Sequence, residues 1–178
     1  MIRSLLLAAS CAVALSACAT TEADMQADAA AASGDMTPTQ RGAYVEMAAA
    51  SDLFEIQSSQ LAEQRATRPE VKEFARMLIQ HHQQTTAQLT AAATAAGTPP
   101  TPDLMPMQAQ MMSELRNASG GDFDGVYLRQ QVPAHEMALA LHSNYASSGD
   151  TEALRAVASA AVPIVQQHLD RARQLQGG

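Results

Sequence analysis

The chain has 178 residues and a formal net charge of −7, which is enough for one domain with its own core. This acidity argues against nucleic acid and against peripheral binding to anionic lipid, since both need a basic surface. Aromatic residues make up only 3% of the chain, so alanine and leucine carry the apolar content, which favours closely packed helices over a sheet.

Residues 1–17 have the pattern of a secretory signal peptide. Arg3 supplies a positive charge, and the apolar run 4–17 is too short to span a bilayer as a mature helix. The run ends in Leu15-Ser16-Ala17-Cys18, which resembles a bacterial lipoprotein box. That resemblance implies cleavage before Cys18 and several acyl chains on this cysteine, which together anchor a protein stably in a membrane.

We therefore expect an exported protein, held in the cell envelope by lipid on Cys18. Ala19 rather than Asp follows the cysteine, a pattern similar to lipoproteins of the outer membrane that face the periplasm. The alternative is an ordinary secretory signal that is cut elsewhere. Residues 18–37 are predicted to be a flexible tether and residues 38–176 to be the folded domain. The sequence identifies no protein partner.

Four long apolar repeats predict an all-α four-helix bundle. The helices are expected at about 38–66, 69–96, 122–147 and 150–176. Thr67 and Glu70 form a Thr-x-x-Glu pattern that predicts a capping box at the start of the second helix, and Gly97 predicts its end. The long crossover 98–121 can return along the bundle, so the third long helix need not run antiparallel to the second.

Four polar residues interrupt the apolar faces of these helices: Glu55, His82, His135 and His168. Each lies within about five residues of the midpoint of its helix, or about 8 Å along the axis. A midpoint stays in place when a helix is reversed, so all four are expected at one level of the core. Buried polar groups cost free energy unless something satisfies them.

One interpretation of this set is a metal site in the bundle core, which would serve metal handling or stress tolerance in the envelope. Three imidazoles and one carboxylate suit a single Zn, Cu or Fe ion, and bundles hold such sites between facing helices. His142 is an alternative ligand one level away, and His81 is rotated off the apolar face, so we expect it in solvent. The other interpretation is a buried hydrogen-bond network without metal, in a non-catalytic structural or interaction protein of the envelope.

Methionines cluster in the crossover. Met105 and Met107 flank a proline, and Met111 and Met112 follow within a short amphipathic segment. Thioethers suit Cu(I), so a copper-capturing loop is one interpretation. Packing of a short helix against the bundle is the other. No phosphate-binding loop, nucleophile elbow or other catalytic motif is found. A hydrolase or oxidase that uses the histidine site is a third interpretation, and it would need an open coordination position and a substrate cleft.

Three spaced motifs carry a resemblance to a known family. They are Phe74-Ala75-x-x-Leu78-Ile79-x-x-His82, Phe123-Asp124-x-x-Tyr127-Leu128 with His135, and Pro163-x-x-x-x-His168-Leu169. Over roughly residues 39–176 the chain resembles bacterial envelope proteins of domain-of-unknown-function family 4142. The resemblance implies a ferritin-like four-helix bundle in the periplasmic space, and it implies no activity. Ile79 and Val165 replace the glutamates of the Glu-x-x-His pairs that di-iron bundles use, so a di-iron centre is not expected.

Overall fold

The computed structural model describes residues 37–101 and 103–177, and these residues form helices without a strand. The helices are α1 (Arg41–Arg65), α2 (Pro69–Ala95), α3 (Pro106–Asn117), α4 (Phe123–Ser148) and α5 (Glu152–Gly177). The predicted all-α bundle is confirmed, and the four long helices lie within about three residues of their expected bounds. The expected signal peptide, the lipidation of Cys18 and nearly all of the expected tether lie outside the described residues.

The helix directions follow from contacts near the helix ends. Tyr44, near the start of α1, stacks on Tyr145, near the end of α4, so these helices run antiparallel. Asp124, at the start of α4, accepts a hydrogen bond from the backbone of Arg68, just before α2. Helices α2 and α4 therefore run parallel on one diagonal of the bundle, which the length of the crossover permits.

Helix α2 ends as expected but begins differently. Gly97 has a φ of 74°, and the backbone N–H groups of Gly97 and Thr98 donate to the carbonyls of Thr94 and Ala93, a Schellman ending. The expected capping box at Thr67 is wrong. The carboxylate of Asp124 accepts from the N–H groups of Thr67 and Arg68 instead, because α4 delivers a charged acceptor to the start of α2.

The crossover contains the short helix α3, which lies against α1 and α4. The guanidinium of Arg65, at the end of α1, donates to the carbonyls of Arg116 (2.9 Å) and Ala118 (2.5 Å). The same guanidinium lies 4.7 Å from the centre of the Phe123 ring. These contacts satisfy the free carbonyls at the end of α3 and fix the crossover on the bundle.

Two apolar layers fill the two ends of the bundle. The layer named here after Phe74 also contains Leu78, Phe123, Tyr127 and Leu175. The layer named after Tyr44 also contains Leu89, Leu141, Tyr145 and Leu154. Between them lies a polar middle layer with Glu55 and three histidines, all buried. None of the helices in the described part of the chain is long and apolar enough to cross a membrane.

Candidate metal centre

Three of the predicted residues meet in the middle of the bundle. His82 on α2, His135 on α4 and His168 on α5 are at most 3% exposed. One ring nitrogen from each lies within 4.8 Å of the others, a separation that one ion can bridge by drawing the rings together. The ring centres are 5.2–5.8 Å apart. The expectation that these helices place their histidines at one level is therefore met.

The second nitrogen of each ring has a hydrogen-bond partner. His82 Nδ1 lies 2.8 Å from Asp52 Oδ1, and His135 Nδ1 lies 2.9 Å from the carbonyl of Gln131. Both partners are acceptors, so Nδ1 carries the proton in both rings and Nε2 presents a lone pair. His168 Nε2 lies 2.8 Å from His81 Nδ1. When His168 donates this bond, its own lone pair is on Nδ1.

Each of the three rings has one nitrogen without a hydrogen-bond partner. These nitrogens are His82 Nε2, His135 Nε2 and His168 Nδ1, and all three are fully buried. An unsatisfied buried polar atom costs about 1–3 kcal/mol. Three such atoms in one layer of the core therefore destabilise the metal-free fold considerably. Neutral imidazoles oriented by a second hydrogen bond are the usual ligand arrangement for Zn, Cu or Fe. These residues therefore fit a transition-metal ion.

Burial, reinforced by neighbouring charges, keeps two of these rings neutral. Burial, followed by the charge of His82, lowers the pKa of His135 to about 3. Burial and the charges of His82 and His135 lower the pKa of His168 to about 2. Burial also opposes protonation of His82, but the hydrogen bond to Asp52 and the charges of Asp52 and Glu55 outweigh it and raise its pKa. Asp52 therefore supplies the negative charge that a bound cation would need nearby.

Glu55 lies beside the three histidines but does not join the group of converging atoms. Its Oε1 is 3.8 Å from His135 Nδ1, too far for a hydrogen bond, and both of its oxygens are buried without a partner. Burial raises its pKa to about 7, although the charge of His82 acts in the opposite direction. Metal ligation by Glu55 stays a prediction.

His142 lies away from the centre, on the side of the Tyr44 layer. Its Nδ1 is 3.1 Å from the hydroxyl of Tyr44, and the two rings meet edge to face. Burial lowers the pKa of His142 to about 4. The hydrogen bond accounts for this histidine without a metal, and its role as an alternative ligand stays a prediction.

Two residues of the centre were missed by the sequence reasoning. His81 was expected in solvent, but it is half-buried and contacts His168, because α5 packs close enough to cover the edge of α2. Asp52 was not selected, yet it binds His82, Thr85 and Thr86. Its position three residues before Glu55 was the available signal, since that spacing places both carboxylates on one side of α1.

Comparison with known proteins identifies the family. Residues 25–175 match the family described as Domain of unknown function (DUF4142). The chain belongs to this family. No curated protein sequence matches it.

Solved structures of CopM share the fold. The Cu(II)-bound form superposes with a TM-score of 0.67 at 20% identity, covering 78% of this chain and 96% of CopM. The Cu(I)-bound form gives 0.63 at 20% identity, with 76% and 94% covered. The Ag-bound form gives 0.63 at 21% identity, with 76% and 93% covered. At this identity the likeness supports a common bundle architecture only.

Proposed function

We propose that this protein binds one transition-metal ion in its bundle core through His82, His135 and His168, and that it handles copper in the cell envelope. The observation that carries the proposal is a group of three buried histidines: one ring nitrogen of each lies within 4.8 Å of the others, and each ring has one nitrogen without a partner. Removing these atoms from water is costly, and one cation would satisfy all of them together.

Copper is the proposed ion on two grounds. Imidazole ligands suit Zn, Cu and Fe, and Cu(II) binds most tightly in the divalent series. The fold is also shared with CopM, whose structures hold Cu(I), Cu(II) and Ag. Glu55 is the proposed fourth ligand, because its unpaired carboxylate lies next to His135. Zinc and iron are the alternative ions.

We further propose that a lipid on Cys18 holds the domain in the envelope, most simply in the outer membrane facing the periplasm. The support is the sequence pattern before Cys18. Metabolic labelling with a radioactive fatty acid tests it: the native protein should be labelled and fractionate with membranes, and the Cys18→Ser variant should do neither. A labelled variant would contradict the proposal.

The metal proposal is tested by elemental analysis and thermal unfolding of the protein purified without a metal-affinity tag. We expect about one equivalent of copper after loading. An ion at a hundred times its Kd should stabilise the fold by about 2.7 kcal/mol, so a chelator should lower the melting temperature. The double variant His82→Ala/His168→Ala should lose both the metal and the effect of chelator.

The matched control is His142→Ala, which removes a buried histidine outside the converging group. It should keep the metal even if it lowers stability. The competing interpretation is a hydrogen-bond network built on Asp52–His82 and His81–His168. Identical melting curves with copper, zinc, iron and chelator would favour that network and refute the metal proposal.

A further inference from the structure

A cleft lined by methionines opens on the outer side of α1 and α4, under the crossover. Five of the seven methionines in 37–101 and 103–177 contribute to it, although three separate segments carry them. They are Met47 from α1, Met105, Met107 and Met111 from α3 and the residue before it, and Met137 from α4. Each of the three segments around the cleft therefore contributes at least one methionine side chain.

Two of these thioethers are exposed. Met105 is 38% and Met107 43% exposed, and in the described part of the chain they are the large apolar side chains that reach the surface most. Met112, by contrast, is buried against Phe54 and Ala134 and already packs α3 onto the bundle. Packing therefore explains Met112 but leaves the exposed pair unexplained.

The volume and the lining residues of the cleft favour a metal ion over an organic molecule. Its volume is about 30 Å³, room for a single ion, whereas sites for small organic molecules usually measure about 300–1,000 Å³. Ser51 and Gln108 are its polar lining residues, and no carboxylate or imidazole lines it. Thioethers are soft ligands that favour Cu(I), whereas divalent zinc and magnesium favour nitrogen or oxygen.

The cleft and the histidine centre use neighbouring residues on the same turns of α1 and α4. Phe54 and Ala134 line the cleft, and each immediately precedes a residue of the middle layer, Glu55 or His135. Adjacent residues on a helix point about 100° apart, so the two members of each pair lie on different faces of their helix. The Phe54 ring, 1% exposed, forms part of the buried wall of the cleft.

We propose that this methionine cleft is a second metal site, which binds one monovalent soft cation, Cu(I), independently of the histidine centre. The exposed thioethers of Met105 and Met107 take the ion from solvent, and the inward methionines complete its coordination. The inference goes beyond the proposed function, because the cleft contains none of the three histidines.

The test is a titration of the full chain with Ag(I), a redox-inert probe, and with Cu(I) under anaerobic conditions. All samples carry Cys11→Ser and Cys18→Ser, because thiolates would bind either ion more tightly than thioethers. The variant Met105→Leu/Met107→Leu/Met111→Leu removes sulfur at nearly constant volume. It should bind one equivalent less than the parent chain. Met77→Leu, in a separate surface pocket, should bind as the parent does.

The outcomes separate the two sites. In the His82→Ala/His168→Ala variant the cleft should still bind one Cu(I), and X-ray absorption should show sulfur neighbours. Unchanged stoichiometry in the triple methionine variant, or nitrogen and oxygen neighbours alone, would overturn the inference. Because Met105 and Met107 belong to none of the buried apolar clusters, the double variant at these two positions should leave the core intact, and it should weaken Ag(I) binding by about tenfold or more.

Discussion

The apolar layers at the ends of the bundle differ from its polar middle layer in how their buried polar atoms are paired. In the Phe74 layer the hydroxyl of Tyr127 meets Ser59 at 2.8 Å, and in the Tyr44 layer the hydroxyl of Tyr145 donates to Asp150 at 2.8 Å. In the middle layer, Glu55, His82, His135 and His168 together leave five buried polar atoms without a partner.

This difference indicates that the two kinds of layer are organised for different purposes. The ends are completed by the chain itself, as expected of layers that hold the fold together. The middle keeps costly unpaired atoms in an ordered arrangement, with a hydrogen bond behind each ring. An ordered arrangement of polar atoms that lowers the stability of the fold is typical of a functional site. The following predictions test the contrast, from the largest expected effect to the smallest.

The largest effect is expected from a cavity in an end layer. Leu78 is fully buried in the Phe74 layer, so Leu78→Ala should lower the free energy of unfolding by about 2–5 kcal/mol. Urea unfolding of the metal-free protein measures this loss. Leu139, half-buried on α4, provides the matched control, and Leu139→Ala should cost clearly less. Equal losses would show that the Phe74 layer does not carry the stability assigned to it.

Acid should destabilise the metal-free protein through the middle layer. The pKa of His135 is about 3 and that of His168 about 2 in the folded protein, against about 6.5 in the unfolded chain. Below pH 6.5 the unfolded state therefore binds more protons. Stability should fall with falling pH, by up to about 1.4 kcal/mol per pH unit for each histidine.

Glu55 opposes this loss over part of the range. The pKa of Glu55 is raised to about 7, so the folded state holds the extra proton between about pH 4.5 and 7. The raised pKa of His82 gives the folded state an extra proton only above about pH 6.5. The decline should therefore be steepest below about pH 4.5. Urea unfolding at a series of pH values measures it. A His168→Gln variant with the same pH profile would contradict the assignment.

Removing the charge of Glu55 should stabilise the metal-free protein. At pH 8 this carboxylate is ionised and buried, and the Gln131 amide and the charge of His82 offset the cost of burial only in part, so Glu55→Gln should raise the free energy of unfolding by about 1–3 kcal/mol. The gain should shrink at pH 5, where the native glutamate is already protonated. The exposed Glu73 is the control, and Glu73→Gln should change little at either pH. A loss of stability at pH 8 would mean that the interactions of Glu55 outweigh the cost of its burial.

The smallest effect is expected from a paired polar atom of an end layer. Tyr127→Phe removes the hydroxyl that meets Ser59 and should cost about 1 kcal/mol. Ser59→Ala should cost a similar amount, and the double variant no more than either single change, because the two groups satisfy each other. Fully additive losses in thermal unfolding would show that the pair does not interact.

Much of the centre could be predicted from the sequence because it depends on helix periodicity. His82, His135 and His168 lie on apolar faces near helix midpoints, and midpoints stay level whichever way a helix runs. The partners of these rings could not be predicted in the same way. Asp52 and His81 lie at the edges of their helix faces, and the angle at which neighbouring helices pack decides whether an edge residue is buried.

The sequence by itself determined the helices, the polar middle layer and the family, because each depends on local spacing along the chain. The tertiary structure decided that α2 and α4 run parallel, that Asp124 holds the backbone just before α2 where a Thr67 capping box was expected, and that five methionines from separate segments meet in one cleft. These features join residues far apart in the chain. Their distances depend on how the crossover returns along the bundle and how the helices pack, which no local pattern of residues specifies.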